Sequence, residues 1–521
     1  MKFKVLPTTS RVPTDEKDIV FLMKDGWDDW FKYNTMYTVF YFDEDGDRTR
    51  IGEVKIGQFG MKGDQRRADT PEEFETLSKE FFSLGQDDSY YQKLNDLGEG
   101  FRDEFLTALR DVARDNELFQ RSLAEDVTGV SLLRFVSDKS VTGQFHRMAL
   151  GGARLTAYSF TYTPPPWGRG NTPPTYNFKV RPESSPPTNV HVLIGRNGVG
   201  KTHAVNQMTN ALVRPDDGKF GDFAWETANA DDEADTFPNI ISVTFSAFDP
   251  FQPLPNRTNK LSSVRYQYIG LKHVGSDEEG NPKPPKSPDD LAADFGQSVQ
   301  VILTQNAKSE RWKRALTLLE SDRIFKQAEV WRLIESNQNL HETLDRKEAS
   351  RELRKKAREL YSKLSSGHKI VLLTITRVVE TLEERSLVLL DEPEAHLHPP
   401  LLSALIRSLS DLLVNRNGVA IIATHSPVIL QEVPRTCVWR IRRTGRQTRI
   451  ERPATETFGE NVGTLTHAIF GLEVTDSGFH KLISNAVDEG LSYEQIVERF
   501  DEKLGDEARG IARSLIATRE D

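Results

Sequence analysis

The chain has 521 residues, with 68 basic and 78 acidic side chains giving a formal charge of −10. So long a chain excludes one compact core and predicts roughly two to four folding units. Charge this mild implies no global attraction to nucleic acid or acidic lipid, and the single cysteine, Cys437, excludes an intrachain disulfide and any cysteine-built zinc site.

Residues 1–150 read as an α+β module. Their start lacks the apolar segment of a signal peptide, and nowhere does an apolar run approach the roughly 20 residues that span a bilayer. A soluble cytoplasmic protein without a membrane partner is expected. Met36 to Phe42 and Thr49 to Gly57 predict a hairpin across the Asp- and Gly-rich turn Asp43–Asp47. The turn has a calcium reading as well as a solvated-turn reading, but Val54 stands where a calcium loop needs a glutamate. Phe74, Leu77, Phe81 and Phe82, then Phe101, Phe105, Leu106 and Leu109, recur at helical spacing over residues 71–123. Val130, Leu132, Leu133 and Phe135 begin a strand-like stretch over residues 129–162. Residues 164–187 are rich in proline and glycine and predict a loop or a very short hairpin.

A phosphate-binding motif follows. Asn189 to Ile194 reads as a buried strand. Gly195-Arg196-Asn197-Gly198-Val199-Gly200-Lys201-Thr202 then fits G-x-x-x-x-G-K-[ST], and Val205, Met208 and Leu212 continue at helical spacing. Glycines let backbone N–H groups turn inward around an anion, and the helix N-terminus adds its positive end. Lys201 would reach the terminal phosphates of ATP, and the Thr202 hydroxyl would hold Mg²⁺. Asp216 to Asp235 reads as an exposed acidic excursion. Asn239 to Phe245 predicts a buried strand ending near Ser246, Asp249 and Gln252, each of which is either a polar contact to magnesium and water or part of a plain turn.

Residues 274–290 read as a flexible break, and 290–363 as charged helices. Arg346, Lys347, Arg351, Arg354, Lys355, Lys356 and Arg358 crowd there. Glu348, Glu352 and Glu359 supply helical partners, so a solvated face stands beside a nucleic-acid contact as the reading. Ser386 to Asp391 is a continuously apolar strand ending in Asp391-Glu392-Pro393-Glu394. Such a strand delivers carboxylates to the sheet edge where ligands bind. Asp391 would orient Mg²⁺, and Glu392 would act as general base on water. Gly418 to Thr424 predicts another buried strand, ending at His425. Residues 458–521 form short amphipathic helices, with packing stripes at Phe479, Leu482, Ile483, Ile496, Phe500 and Leu504.

Leu364-Ser365-Ser366-Gly367-His368-Lys369, opening an apolar helix just before the acid-ended strand, resembles the LSGGQ signature of ABC-type ATPases. Ser366 replaces one glycine and His368 the glutamine. The resemblance implies that Ser365 and Gly367 hold the γ-phosphate bound to an opposite subunit, and that His425 is the switch histidine. Two chains would then sandwich two ATP molecules as a homodimer or a higher homo-oligomer. His396 and His398 fall where that family places its D-loop, and a dimer contact is expected of them rather than a metal site, since no third ligand is evident. Asp391 to Pro399 with Ala423 to Pro427 is similar to the RecF, SMC and OLD branch, and to the AAA-type ATPases of bacterial anti-phage systems of the Septu, Paris and retron-associated kind.

The expected architecture is α/β: a P-loop ABC-type head in two halves, 151–273 and 364–450. An N-terminal α+β module (1–150), a linker and helical insert (274–363) and a C-terminal helical cap (451–521) complete it. The resemblance implies a regulatory ATPase of a defence complex with a separate effector, a nuclease or toxin acting in trans. A DNA-binding repair ATPase and an ATP-binding scaffold with little turnover are the alternatives. No Toprim pattern follows the head, so no nuclease site is expected in this chain.

Overall fold

The computed structural model describes the chain except residues 9–11, 14, 27, 28, 30, 31, 62, 63, 167–172, 216, 217, 227–236, 247–250, 257–263, 276–282, 446, 472–477 and 521, and the side chains of 346, 519 and 520. The first module is built on β1 (Lys2–Leu6), β2 (Ile19–Lys24), β3 (Met36–Phe42), β4 (Arg48–Gln58), β5 (Glu73–Phe74) and β6 (Phe81–Gly85). They form one sheet in the order β5-β1-β2-β3-β4-β6. The β3–β4 hairpin is as expected. Asp43 Oδ1 accepts the N–H groups of Asp45 at 3.0 Å and Asp47 at 2.8 Å, so the first acid of the turn is spent closing it.

Two expectations for this module are corrected. Phe74 lies in β5, and Phe81 and Phe82 lie in β6, not on a helix. Every residue of β6 is buried, so the strand shows no alternation and its aromatic doublet imitates helical spacing. Helices begin only at α1 (Asp88–Asp96), α2 (Glu99–Ala108) and α3 (Asn116–Ser122). The strand-like stretch from Val130 to Phe135 is not a strand. Thr128–Leu132 is a π-helical turn, and α4 (Asp138–Ser140), a second π turn and α5 (His146–Ala149) follow. Leu132 and Leu133 are buried in the same core as Phe82 and Phe105, and so short an apolar run does not distinguish helix from strand by period.

Next along the chain come β7 (Tyr158–Thr163), β8 (Tyr176–Val180), β9 (Val190–Ile194), α6 (Lys201–Val213), β10 (Asp222–Glu226), β11 (Asn239–Thr244) and β12 (Arg265–Gly270). Helices α7 (Pro288–Ile302), α8 (Asn306–Leu319), α9 (Arg323–Ala328), α10 (Arg332–Thr343) and α11 (Arg346–Ser362) fill the insert. The second half carries α12 (Ser366–Thr381), β13 (Leu387–Asp391), α13 (Pro399–Asn415), β14 (Val419–Thr424), β15 (Val438–Thr444) and β16 (Gln447–Glu451). Strand β8 lies within the proline-rich stretch, where a loop or a very short hairpin was expected, and β10 within the acidic one, where an exposed excursion was expected. Both pair with β7 in a small antiparallel sheet, β10-β7-β8.

The central sheet has the order β12-β11-β13-β14-β9-β15-β16. All neighbours are parallel except the last pair. Strands β9, β13 and β14 are buried at every residue. Successive side chains of β13 serve opposite cores. Val388 and Leu390 join the layer of helices α7, α8, α12 and α13, while Leu387 and Leu389 join α6 and the small antiparallel sheet. Burial on both faces explains the unbroken apolar runs. It also places the ends of β9, β13 and β14 side by side at one edge of the sheet.

The first module grips the base of this head with buried charges. Asp87 pairs with Arg311 at 2.8 Å, and Asp88 pairs with Arg416. Glu383 pairs with Arg265, and also accepts the Ser137 N–H at 3.2 Å and the Ser140 hydroxyl at 2.7 Å. Burial pushes the Asp87 carboxyl up, but Arg311 and Arg416 outweigh it and hold the group below its ordinary range. At the other end, the helices Gly478–Asp488, Tyr493–Arg499 and Asp506–Glu520 share a small core of their own around Ile483 and Ile496. Phe479 and Leu482 are exposed, not part of that stripe. Among the described residues no helix is long and apolar enough to cross a membrane.

Removing one partner of a buried ion pair leaves a charge unmatched. Arg416→Ala is therefore expected to lower stability by about 3–5 kcal/mol, read by urea denaturation.

Candidate nucleotide-binding site

The loop from Gly195 to Thr202 joins β9 to α6 at the strand-end edge. Gly200 caps α6 with a left-handed φ of 101°, a conformation that side chains disfavour. Arg196, Asn197 and Gly198 are exposed at the tip, whereas Val199 is buried. Lys201 is buried, and its ammonium donates to the carbonyls of Gly195 and Arg196, both at 3.0 Å. Burial lowers the affinity of that ammonium for its proton, partly offset by the facing carboxylates of Glu392, Glu394 and Asp391.

The Thr202 hydroxyl donates to Asp391 Oδ1 at 3.0 Å, across 189 residues of sequence. Asp391 is the last residue of β13 and is buried. Glu392 follows with φ 47°, and its N–H is anchored on the Ala423 carbonyl at 2.8 Å. That left-handed turn, uncommon for a residue with a side chain, ends the strand at the edge. Hydroxyl and carboxylate oxygens are the hard donors magnesium takes, so Thr202 and Asp391 fit such an ion held with a triphosphate.

The sequence reading missed Glu394. Its Oε1 accepts the Thr424 hydroxyl at 2.6 Å and the His425 N–H at 2.8 Å, and lies 3.1 Å from His425 Nδ1. It thereby fixes both the end of β14 and the His425 ring. Glu392 Oε1 is 3.9 Å from the same nitrogen. Glu394 Oε2 is buried with no hydrogen-bond partner among the described residues. The signal was present in the sequence: a third acid two residues past Glu392 is costly beside that pair unless something holds it. Of the three polar candidates after β11, Gln252 lines a narrow cleft with Thr202, Thr244 and Asp391. Ser246 donates its N–H to Thr244 at 3.4 Å, and Asp249 lies outside the described residues.

Ser365 is exposed at the N-terminus of α12. Its hydroxyl is 2.6 Å from His368 Nδ1, and His368 Nε2 is 3.0 Å from Asp322 Oδ1. Gly367 is buried, and a β-carbon there would stand 2.7 Å from the His396 carbonyl. In its own chain this glycine lets the signature helix approach the loop after β13. His396 is exposed, and His398 caps α13 by accepting the Leu401 N–H at 3.3 Å. Sequence reasoning found no third ligand beside His396 and His398. The fold corrects that for His398, whose Nε2 lies 3.7 Å from Asp322 Oδ2, with His368 on the other oxygen. Asp322 is far away in sequence, and only its helix-capping position before Arg323 marked it.

A parallel sheet with a phosphate loop, a strand-end acid pair and a histidine at one edge defines an ATPase domain of the ABC/AAA type. The family model described as "AAA domain, putative AbiEii toxin, Type IV TA system" matches residues 316–431, which include the signature, the acid strand and His425 but not the phosphate loop. The whole chain aligns with protein ea59 of Escherichia phage lambda at 38% identity over 530 residues, covering 100% of this chain and 99% of that one, and the chain belongs to the ea59 family. Solved structures similar to part of it include the ADP conformation of MJ1267, an ATP-binding cassette of an ABC transporter. That match has 13% identity, 62% of this chain, 98% of that chain and a TM-score of 0.28. UvrA2 from Deinococcus radiodurans matches at 15% identity over 63% of this chain and 42% of that chain, again with a TM-score of 0.28. At that score neither adds to the fold read from the strand order itself.

Glu394→Gln keeps the shape but weakens the grip on His425. Nucleotide affinity, measured by calorimetry, is expected to be unchanged, while phosphate release slows by roughly 10²-fold from misplacement of the histidine.

Proposed function

We propose that the chain binds ATP with Mg²⁺ and hydrolyses it by in-line attack of water on the γ-phosphate. The observation that carries this is the Thr202–Asp391 hydrogen bond, which draws the phosphate loop and the acid strand together beside Lys201. In this reading the loop N–H groups of Gly195 to Thr202 and the Lys201 ammonium hold the phosphates. Thr202 and Asp391 hold the magnesium, which when bound offsets phosphate charge. Glu392 takes the proton of the attacking water. His425, steadied by Glu394, reaches toward the γ-phosphate. Gln252, which lines the same cleft as Thr202 and Asp391, is in this reading the further polar residue toward water or metal.

The same reading extends to a pair of chains. Ser365 and the N-terminus of α12 are exposed, and we propose that they complete the ATP site of a second copy, Gly367 contributing its N–H. Closure on ATP and opening after hydrolysis would switch a bound effector, a nuclease or toxin in an anti-phage complex. A second reading has its own support. Arg351, Arg354, Lys355, Arg358 and Lys363 line an open cleft of about 890 Å³ between α7 and α11. In this second reading its basic side chains meet a DNA backbone, although Asp289, Glu352 and Glu359 interrupt them.

Loss of the general base should slow turnover by about 10²–10⁴-fold in Glu392→Gln. With ATP, that variant should elute as a dimer on a sizing column, and adding Ser365→Arg should return it to a monomer. If Glu392→Gln stays monomeric with ATP, the paired arrangement is wrong. Unchanged turnover in Glu392→Gln would remove the assigned base.

A further inference from the structure

We propose that Asp322, His368 and His398 form a binding site for a divalent first-row cation, best matched by zinc. Each ligand comes from a different segment: the cap of α9, the first turn of α12 and the cap of α13. One ligand atom from each lies within 4.8 Å of the others. Zinc takes imidazole nitrogen and carboxylate oxygen at about 2.0–2.2 Å, so neighbouring ligands at tetrahedral corners stand roughly 3.3–3.6 Å apart. His368 Nε2 lies 3.0 Å from Asp322 Oδ1 and His398 Nε2 3.7 Å from Asp322 Oδ2, separations on either side of that range to the two oxygens of one carboxylate. The imidazole centroids are 6.2 Å apart, so the half-exposed His398 ring closes by about 1 Å when both nitrogens take tetrahedral corners of one ion.

Surroundings suit a built site. His368 is buried, Asp322 is nearly so, and His398 is half-exposed, which leaves a fourth position on its side for water. The ligand set has one negative charge against two positive, and mixed nitrogen and oxygen donors suit zinc over magnesium or calcium. His368 already has an outer partner, because its Nδ1 sits 2.6 Å from the Ser365 hydroxyl. Metal on Nε2 puts the proton on Nδ1, which then donates to Ser365. His398 must give up its 3.3 Å bond from Leu401, which is long for a hydrogen bond.

The bound cation would clamp the helical insert to the signature helix and to the loop after the acid strand. It would also leave the Ser365 O–H free to donate outward, a consequence that rests on the paired-chain reading above. The binding itself does not depend on that reading, and is tested without nucleotide. The full chain is stripped with chelator, reloaded with Zn²⁺ or Co²⁺ and dialysed. One zinc per chain by elemental analysis, and the intense visible absorption of tetrahedral Co²⁺, are expected. His398→Ser retains a helix cap but removes the imidazole, and should lose both signals, as should His368→Gln. Asp391→Asn, which alters the magnesium position, should keep both. No retained zinc in the parent chain, or zinc retained at full stoichiometry in His398→Ser and His368→Gln, would overturn the site. Loss of zinc in Asp391→Asn would place the ion at the phosphate edge instead and overturn it equally.

Discussion

One hydrogen bond, Thr202 to Asp391, links the two halves of the head at the place where chemistry is expected. The halves are separated in sequence by helices α7 to α11 of the insert. They meet because β13, β14 and β9 are neighbours in one parallel sheet, so three strand ends stand at the same edge. A shift of any of them by one residue would exchange its buried faces and misplace its terminal residue together. Packing of the strand interiors therefore sets the geometry of the edge. The charges gathered there, one buried ammonium against three carboxylates, are tolerated because each has a defined neighbour.

Much of this was legible in the sequence. The phosphate loop, the strand ending at Asp391 and Glu392, and the strand ending at His425 each join an unbroken apolar run to a polar terminus. That pattern survives because both faces of the sheet are covered. Burial hid β6, a strand of the first module's own sheet, where buried aromatics at adjacent positions imitate a helix, and the π-helical turn near Leu132 had an apolar run too short to show a period. Strands β8 and β10 were obscured by the proline-rich and acidic stretches around them. Tyr176, Phe178 and Phe223 nonetheless give the small sheet its aromatic face.

What no local pattern carries is long-range pairing between side chains. Glu394 stands in the sequence as a third acid, but its partners Thr424 and His425 meet it only because β14 lies beside β13, and Asp322 meets His368 only because α9 packs near α12. The first module is the extreme case. Its grip on the head runs through Asp87 and Asp88 to Arg311 and Arg416, and through Glu383 to Ser137, Ser140 and Arg265. In sequence these are ordinary polar and charged residues. In the fold they are buried or largely so, which ties the module to the rear of the same sheet whose front edge carries the nucleotide site.

The account stands on Thr202 and Asp391 acting on one magnesium–triphosphate. Titration of ATP binding with and without Mg²⁺, in Thr202→Ala, Asp391→Asn and the double variant, tests this most directly. The account predicts that each single change removes the magnesium-dependent part of the affinity and that the double variant binds no more weakly than the weaker single. Losses that simply add, as independent sites do, or singles that keep their full magnesium dependence, would contradict it.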